Sequence, residues 1–174
     1  MQTTKPDVQL RYRLGYYAPG GKEDGQPDTE DRITAVMSSP LDASGIGVRA
    51  SVEPAADQIA LVVHIDPLDL NLKSKAGKWT GALHLQAVQT GATGERLDGI
   101  SQAAEISLEQ ATYERALQQG LQFDMKLPRN PAAVAVRIVV VDDRGANVGS
   151  LSVPIAPVPA NNLSPHQRAR RYGR

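Results

Sequence analysis

Nineteen basic and nineteen acidic side chains in 174 residues leave no net charge, so no global field draws this chain to nucleic acid or an anionic membrane. The absence of cysteine excludes disulfides, thiol catalysis and thiolate metal sites. Hydrophobic residues make up 41% of the chain but aromatics only 4%, so the core has to be built from Val, Ile, Leu and Ala.

Val8 to Tyr17 (VQLRYRLGYY) alternates as a strand, with Val8, Leu10, Tyr12 and Leu14 sharing a face. Ala18-Pro19-Gly20-Gly21 breaks it, and Gly20 to Asp28 reads as a flexible, Gly-rich loop. Asp28 or Thr29 then caps a short helix near 29–38, whose stripe of Ile33, Val36 and Met37 is too short to stand alone and should lie against a sheet. Pro40 ends it.

Strand patterns follow at short spacing. Ile46 to Val52 places Ile46, Val48, Ala50 and Val52 inward, and Gln58 to Asp66 places Ile59, Leu61, Val63 and Ile65 inward. Leu68 to Leu72 reads as a short extension before a polar turn, NLKSKAGK. Trp79 to Val88 turns Leu83, Leu85 and Ala87 to one face and His84, Gln86 and Val88 to the other; Trp79 itself is expected between two sheets. Ile100 to Leu108 is a weaker pattern, suited to an edge strand. From Glu109 to Gln119 the period becomes helical through Tyr113, Ala116 and Leu117, and Gly120 terminates it. Leu121 to Leu127 alternates again.

Ala132 to Ile155 is the most regular stretch, a β-branched strand, a polar turn from Asp142 to Asn147 and a return strand. Val134, Val136, Ile138 and Val140 form one row and Ala135, Arg137, Val139 and Val141 the other. A strand apolar on nearly both faces belongs in the middle of a sheet with something packed above it. About eight strands separated by turn signals give an all-β, immunoglobulin- or fibronectin-like sandwich with two short peripheral helices packed at its ends. The expected organisation is an N-terminal strand and loop over 1–27, a sandwich over 28–157 with helices near 29–38 and 109–119, and a basic tail over 158–174.

Few constellations point to chemistry. His64 and His84 could begin a metal site with Asp66, but two half-exposed histidines on outward faces explain them more simply. Asp142 and Asp143 could serve calcium, though a turn using Asp for local hydrogen bonds is the simpler reading. Glu105 with Glu109, and Asp66 with Asp69, read as solvated surface charge, as do Arg168, Arg170, Arg171 and Arg174 in the tail. The tail lacks the interleaved aromatics of a nucleic-acid surface. No phosphate loop, nucleophile elbow or zinc-protease motif occurs, so neither a cofactor nor an enzyme activity is expected. No stretch approaches the ~20 apolar residues of a transmembrane helix, and MQTTKPDVQL lacks the layout of a signal peptide. Tyr12, Tyr16 and Tyr17 form an aromatic cluster suited to anchoring a partner protein.

Arg13-Leu14-Gly15-Tyr16-Tyr17-Ala18-Pro19 resembles the R-x-G-Y-Y/F-A-P segment that follows the von Willebrand factor A-like domain in a group of bacterial exported proteins. The short helix running into Ser39-Pro40-Leu41, the element carrying Tyr113, Leu117 and Gly120, and Val136 to Asp142 before Gly149-Ser150-Leu151 are similar to the C-terminal region of that group. The resemblance covers most of Arg11 to Pro154. It implies a non-catalytic structural or protein-interaction module, secreted or in the periplasm or cell envelope, whose partner is another protein or an upstream A-like domain of the same polypeptide. The chain lacks the Asp-x-Ser-x-Ser metal loop of such A domains. It also carries Ala132, Ala133 and Val134 where the group has an aromatic before its long strand. A carbohydrate-binding sandwich is the alternative expectation.

Overall fold

The computed structural model describes residues 28–156. The strand expected at 8–17, the loop up to residue 27 and the tail 158–174 lie outside them. Within the described residues, helix α1 (Thr29–Ser38) precedes strands β1 (Val48–Pro54), β2 (Gln58–Ile65), β3 (Lys73–Lys75), β4 (Lys78–Thr90) and β5 (Arg96–Glu109). Helix α2 (Gln110–Gln119) then leads to β6 (Leu121–Pro128), β7 (Ala135–Asp142) and β8 (Val148–Pro154).

All strand pairs are antiparallel, in two sheets. One has the order β1-β2-β6; in the other β4 pairs with β7, which pairs with β8, while β5 and β3 also pair with β4. Lys78 faces both Lys75 and Glu109, so β3 and β5 lie on opposite edges of β4, and β7 continues the β3 side from Leu83 onward. Setting aside the three-residue β3, seven strands remain. Compared with the immunoglobulin constant plan, the fourth of these, β5, has joined the sheet of the third, sixth and seventh. The all-β sandwich is as the alternating sequence implies.

The core lies between the sheets and follows the period-two rows. Ile59, Leu61, Val63 and Ile65 of β2 face Leu83, Leu85 and Ala87 of β4 and Val136, Ile138 and Val140 of β7, all within 1% of full burial. Val134, expected to join this row, is 47% exposed because β7 begins only at Ala135. The other face of β7 is covered too, and by α1: Ile33, with Val36 and Met37, packs on Val139 and Val141. The helix therefore lies against a sheet as its short stripe implies, but across the outer face of the larger one and not at an end of the sandwich, because β7 presents an apolar row on that side as well.

Two further details differ from the sequence reading. Leu68 to Leu72 is not an extended continuation. Asp66 accepts the Leu68 amide and starts a 3₁₀ turn over Pro67–Asp69, and the strand comes later, inside NLKSKAGK, as the β3–β4 hairpin. Trp79 points to the inner side of β4 but is only half-buried, at the lip of the sandwich. Since β5 ends opposite Lys78, α2 begins beside Trp79. Tyr113 stacks on the indole at 4.2 Å between ring centroids, and the indole N–H donates to Gln110 at 2.8 Å. Its packing partner is a helix, not the facing sheet. Gly120, at φ 81°, ends α2 as its sequence position implies.

Candidate interaction surface

The structure separates the suspected ligand pairs. His64 lies on β2 beside core residues Val63 and Ile65, and His84 on β4 beside Leu83 and Leu85. Each points away from the core, so the two imidazoles stand on opposite outer faces of the sandwich. His84 Nε2 bonds the Ser101 hydroxyl across the β4–β5 pair instead. Among the described residues no group of three metal-ligating side chains occurs.

Asp142 is 1% exposed and both of its carboxylate oxygens accept backbone amides, from Arg144 at 2.9 Å and Asn71 at 2.6 Å. Asp143 accepts the Thr29 hydroxyl at 2.8 Å. These carboxylates tie the β7–β8 turn to the β2–β3 connection and to α1, which is turn chemistry. Asp69 accepts the Gly47 amide at 2.7 Å, and Glu109 pairs with Lys78 at 3.1 Å. Tyr12, Tyr16 and Tyr17 lie outside the described residues.

What the fold does present is an open strand edge. The Asp143 amide donates to the Ala82 carbonyl at 3.0 Å, extending a ladder in which Leu83 faces Asp142. Even-numbered residues of β4 therefore turn their backbone groups toward β7, and odd-numbered ones toward β5. Those odd residues, Gly81, Leu83, Leu85 and Ala87, face Ile106, Ala104, Gln102 and Ile100. It follows that Gly99, Ser101, Ala103, Glu105 and Ser107 direct their N–H and C=O groups away from the sheet. All five are exposed, and among the described residues no strand pairs with them.

The other edges are guarded. Segment 43–46 bridges β8, with Ser150 N–H donating to Ala43 and Ile46 N–H to Val148. β1 ends in Pro54 and carries Arg49, while β6 ends in Pro128 and carries Lys126. β5 has neither Pro nor Lys in fourteen residues, and its only register shift lies at the Arg96 end.

Beside this edge runs a groove of about 740 Å³ between α1 and the outer face of β4 and β5. Ile33 and Met37 form its apolar wall, and His84, Gln86 and Ser101 its polar floor. The Gln86 side-chain oxygen is buried there without a partner among the described residues. In the hairpin turn that opens β5, the Thr93 hydroxyl bonds Glu95 and, with backbone amides, holds that exposed carboxyl below the usual carboxylate range.

One structural network escaped the sequence reading. Gln89 is fully buried; its side-chain amide donates to the Pro128 carbonyl at 2.9 Å and accepts the Asn130 amide at 2.8 Å. The Asn130 side chain in turn accepts the Ala132 amide and donates to Asp98. This closes the β6–β7 corner, where a tyrosine does the same work in many sandwiches. The signal was a lone Gln directly after the apolar row of β4.

Comparison of the sequence with protein-family models and with curated proteins finds no match.

Proposed function

We propose that this domain is a non-catalytic β-sandwich module that joins or supports proteins, accompanying an adhesion-type domain in an exported protein of the cell envelope. The observation that carries the interaction half of this reading is the outer edge of β5, a row of backbone donors and acceptors that no strand among the described residues pairs with, suited to strand addition. The exported, adhesion-linked half rests on the resemblance of Arg13 to Pro19 and the later segments to proteins that carry an A-like domain. The carbohydrate-binding alternative gains no support from the described aromatics, because Trp79 and Tyr113 stack on each other and so form no open platform.

The test is a photo-crosslinking amino acid at Ala103, on the open edge, with a control at Glu53 on the guarded β1 edge. In the source cells, position 103 should give a discrete adduct whose partner site maps to an extended segment, and position 53 should not. Equal labelling at both positions, or none at 103, removes the interaction reading.

A further inference from the structure

We infer that the β5 edge is self-complementary and pairs two copies of this chain antiparallel about a two-fold axis at Ala103. This rests on the reading of β5 as an interaction edge and names its occupant. A symmetric pair must place residues of the same face opposite one another, so the two partner numbers sum to an even value. Outward-directed backbone groups belong to the odd-numbered residues of β5, so an odd-numbered residue at the axis closes a hydrogen-bonded ring.

With Ala103 opposite its own copy, Ser101 faces Glu105 and Gly99 faces Ser107 on the outer row. On the core-side row Ile100 faces Ile106, and Gln102 faces Ala104. No like charges stand directly opposite, and the serine hydroxyl meets a carboxylate it can donate to. The residue on the axis is small and exposed, so the two backbones approach without displacing a side chain. Ile100, half-buried at the rim of the core, gains an apolar neighbour from the second copy. The two larger sheets become one continuous sheet, and the edge that no described segment protects is covered.

The chain has no cysteine, which makes the test direct. Residues opposite one another in a hydrogen-bonded antiparallel pair lie about 5.5 Å apart at Cα, within disulfide reach. Under mild oxidation, Ala103→Cys in the full chain should form a disulfide-linked dimer while Glu53→Cys stays a monomer. By light scattering the unaltered chain should have twice the mass of one chain. Ala103→Asp and Ala103→Lys should each halve it with an unchanged circular dichroism spectrum, and mixing the two variants should restore the doubled mass.

A single-chain mass for the unaltered protein at every concentration, equal disulfide yields at positions 103 and 53, or no recovery on mixing overturns the self-pairing. If a charged variant does not fold, the cysteine pair decides alone. Failure here leaves the interaction reading standing, since β5 stays open to a strand of different sequence; that reading falls only if position 103 gives no specific adduct in cells.

Discussion

Individual polar residues hold this fold together where its strands turn. Asp142 shows how: buried and accepting two backbone amides, it stands in for a length of ladder that the turn interrupts. Asp142→Ala would leave the Asn71 and Arg144 amides unsatisfied, at a cost of about 2–4 kcal/mol in chemical denaturation. Calcium should not move the thermal midpoint of the unaltered protein, because both oxygens are already engaged. Arg137 plays a comparable part on the outer face of β7. It is 8% exposed, pairs with Asp42 at 3.3 Å and donates to the Val36 and Leu41 carbonyls. In the sequence it looks like a lone charge in a valine strand. Its role there is to satisfy the carbonyl ends of a helix and the loop behind it, which no strand periodicity encodes.

Elements were legible in the sequence to the degree that their burial was one-sided. β2 and β4 bury one row each, and the alternation of Ile59, Leu61, Val63 and Ile65 or of Leu83, Leu85 and Ala87 identifies both strand and face. β5 is exposed along its outer row and only partly buried along its core-side row, so the sequence pattern shows it from Ile100 onward although pairing begins at Arg96. The lip position of Trp79 was not legible either, since it depends on where α2 begins after β5. That contact supplies a measurement. Trp79 is the only tryptophan in the chain, so its fluorescence reports on the lip of the sandwich where α2 docks. Tyr113→Ala should red-shift the emission and destabilise the protein by about 1–2 kcal/mol, the aromatic pair plus lost area. An unchanged spectrum would mean that α2 does not dock through this stack.

At the scale of the whole molecule the two sheets are joined by hydrophobic contact through the middle and by specific polar closure at one end. Gln89 supplies that closure, reaching from β4 to the connection between β6 and β7. Gln89→Leu keeps the volume but orphans the Pro128 carbonyl and the Asn130 amide, so a loss of about 1–3 kcal/mol is expected. Amide exchange should quicken first around Asn130, ahead of the centre of β7. The interaction surface belongs to the same scale. None of its residues is unusual alone, and the edge arises because the strand order of the described residues leaves β5 outermost. The sequence reading placed partner binding on Tyr12, Tyr16 and Tyr17, where the chemistry was conspicuous. The same reading made Ile100 to Leu108 an edge strand; which of its residues turn their backbone groups outward was not legible, because that depends on the register with β4.

The clamping of α1 has a mechanical consequence. Near its start, Arg32 donates to the Asp142 and Gly145 carbonyls; at its end, the Ser38 hydroxyl meets Arg96 and the Val36 carbonyl meets Arg137. Tension arriving along the polypeptide ahead of Thr29 is thus met by a helix fastened to three separate strands or turns before any of it can reach β1. Under such a pull the bonds of Arg32, Arg96 and Arg137 to the helix and its contacts should part before the sandwich strands do.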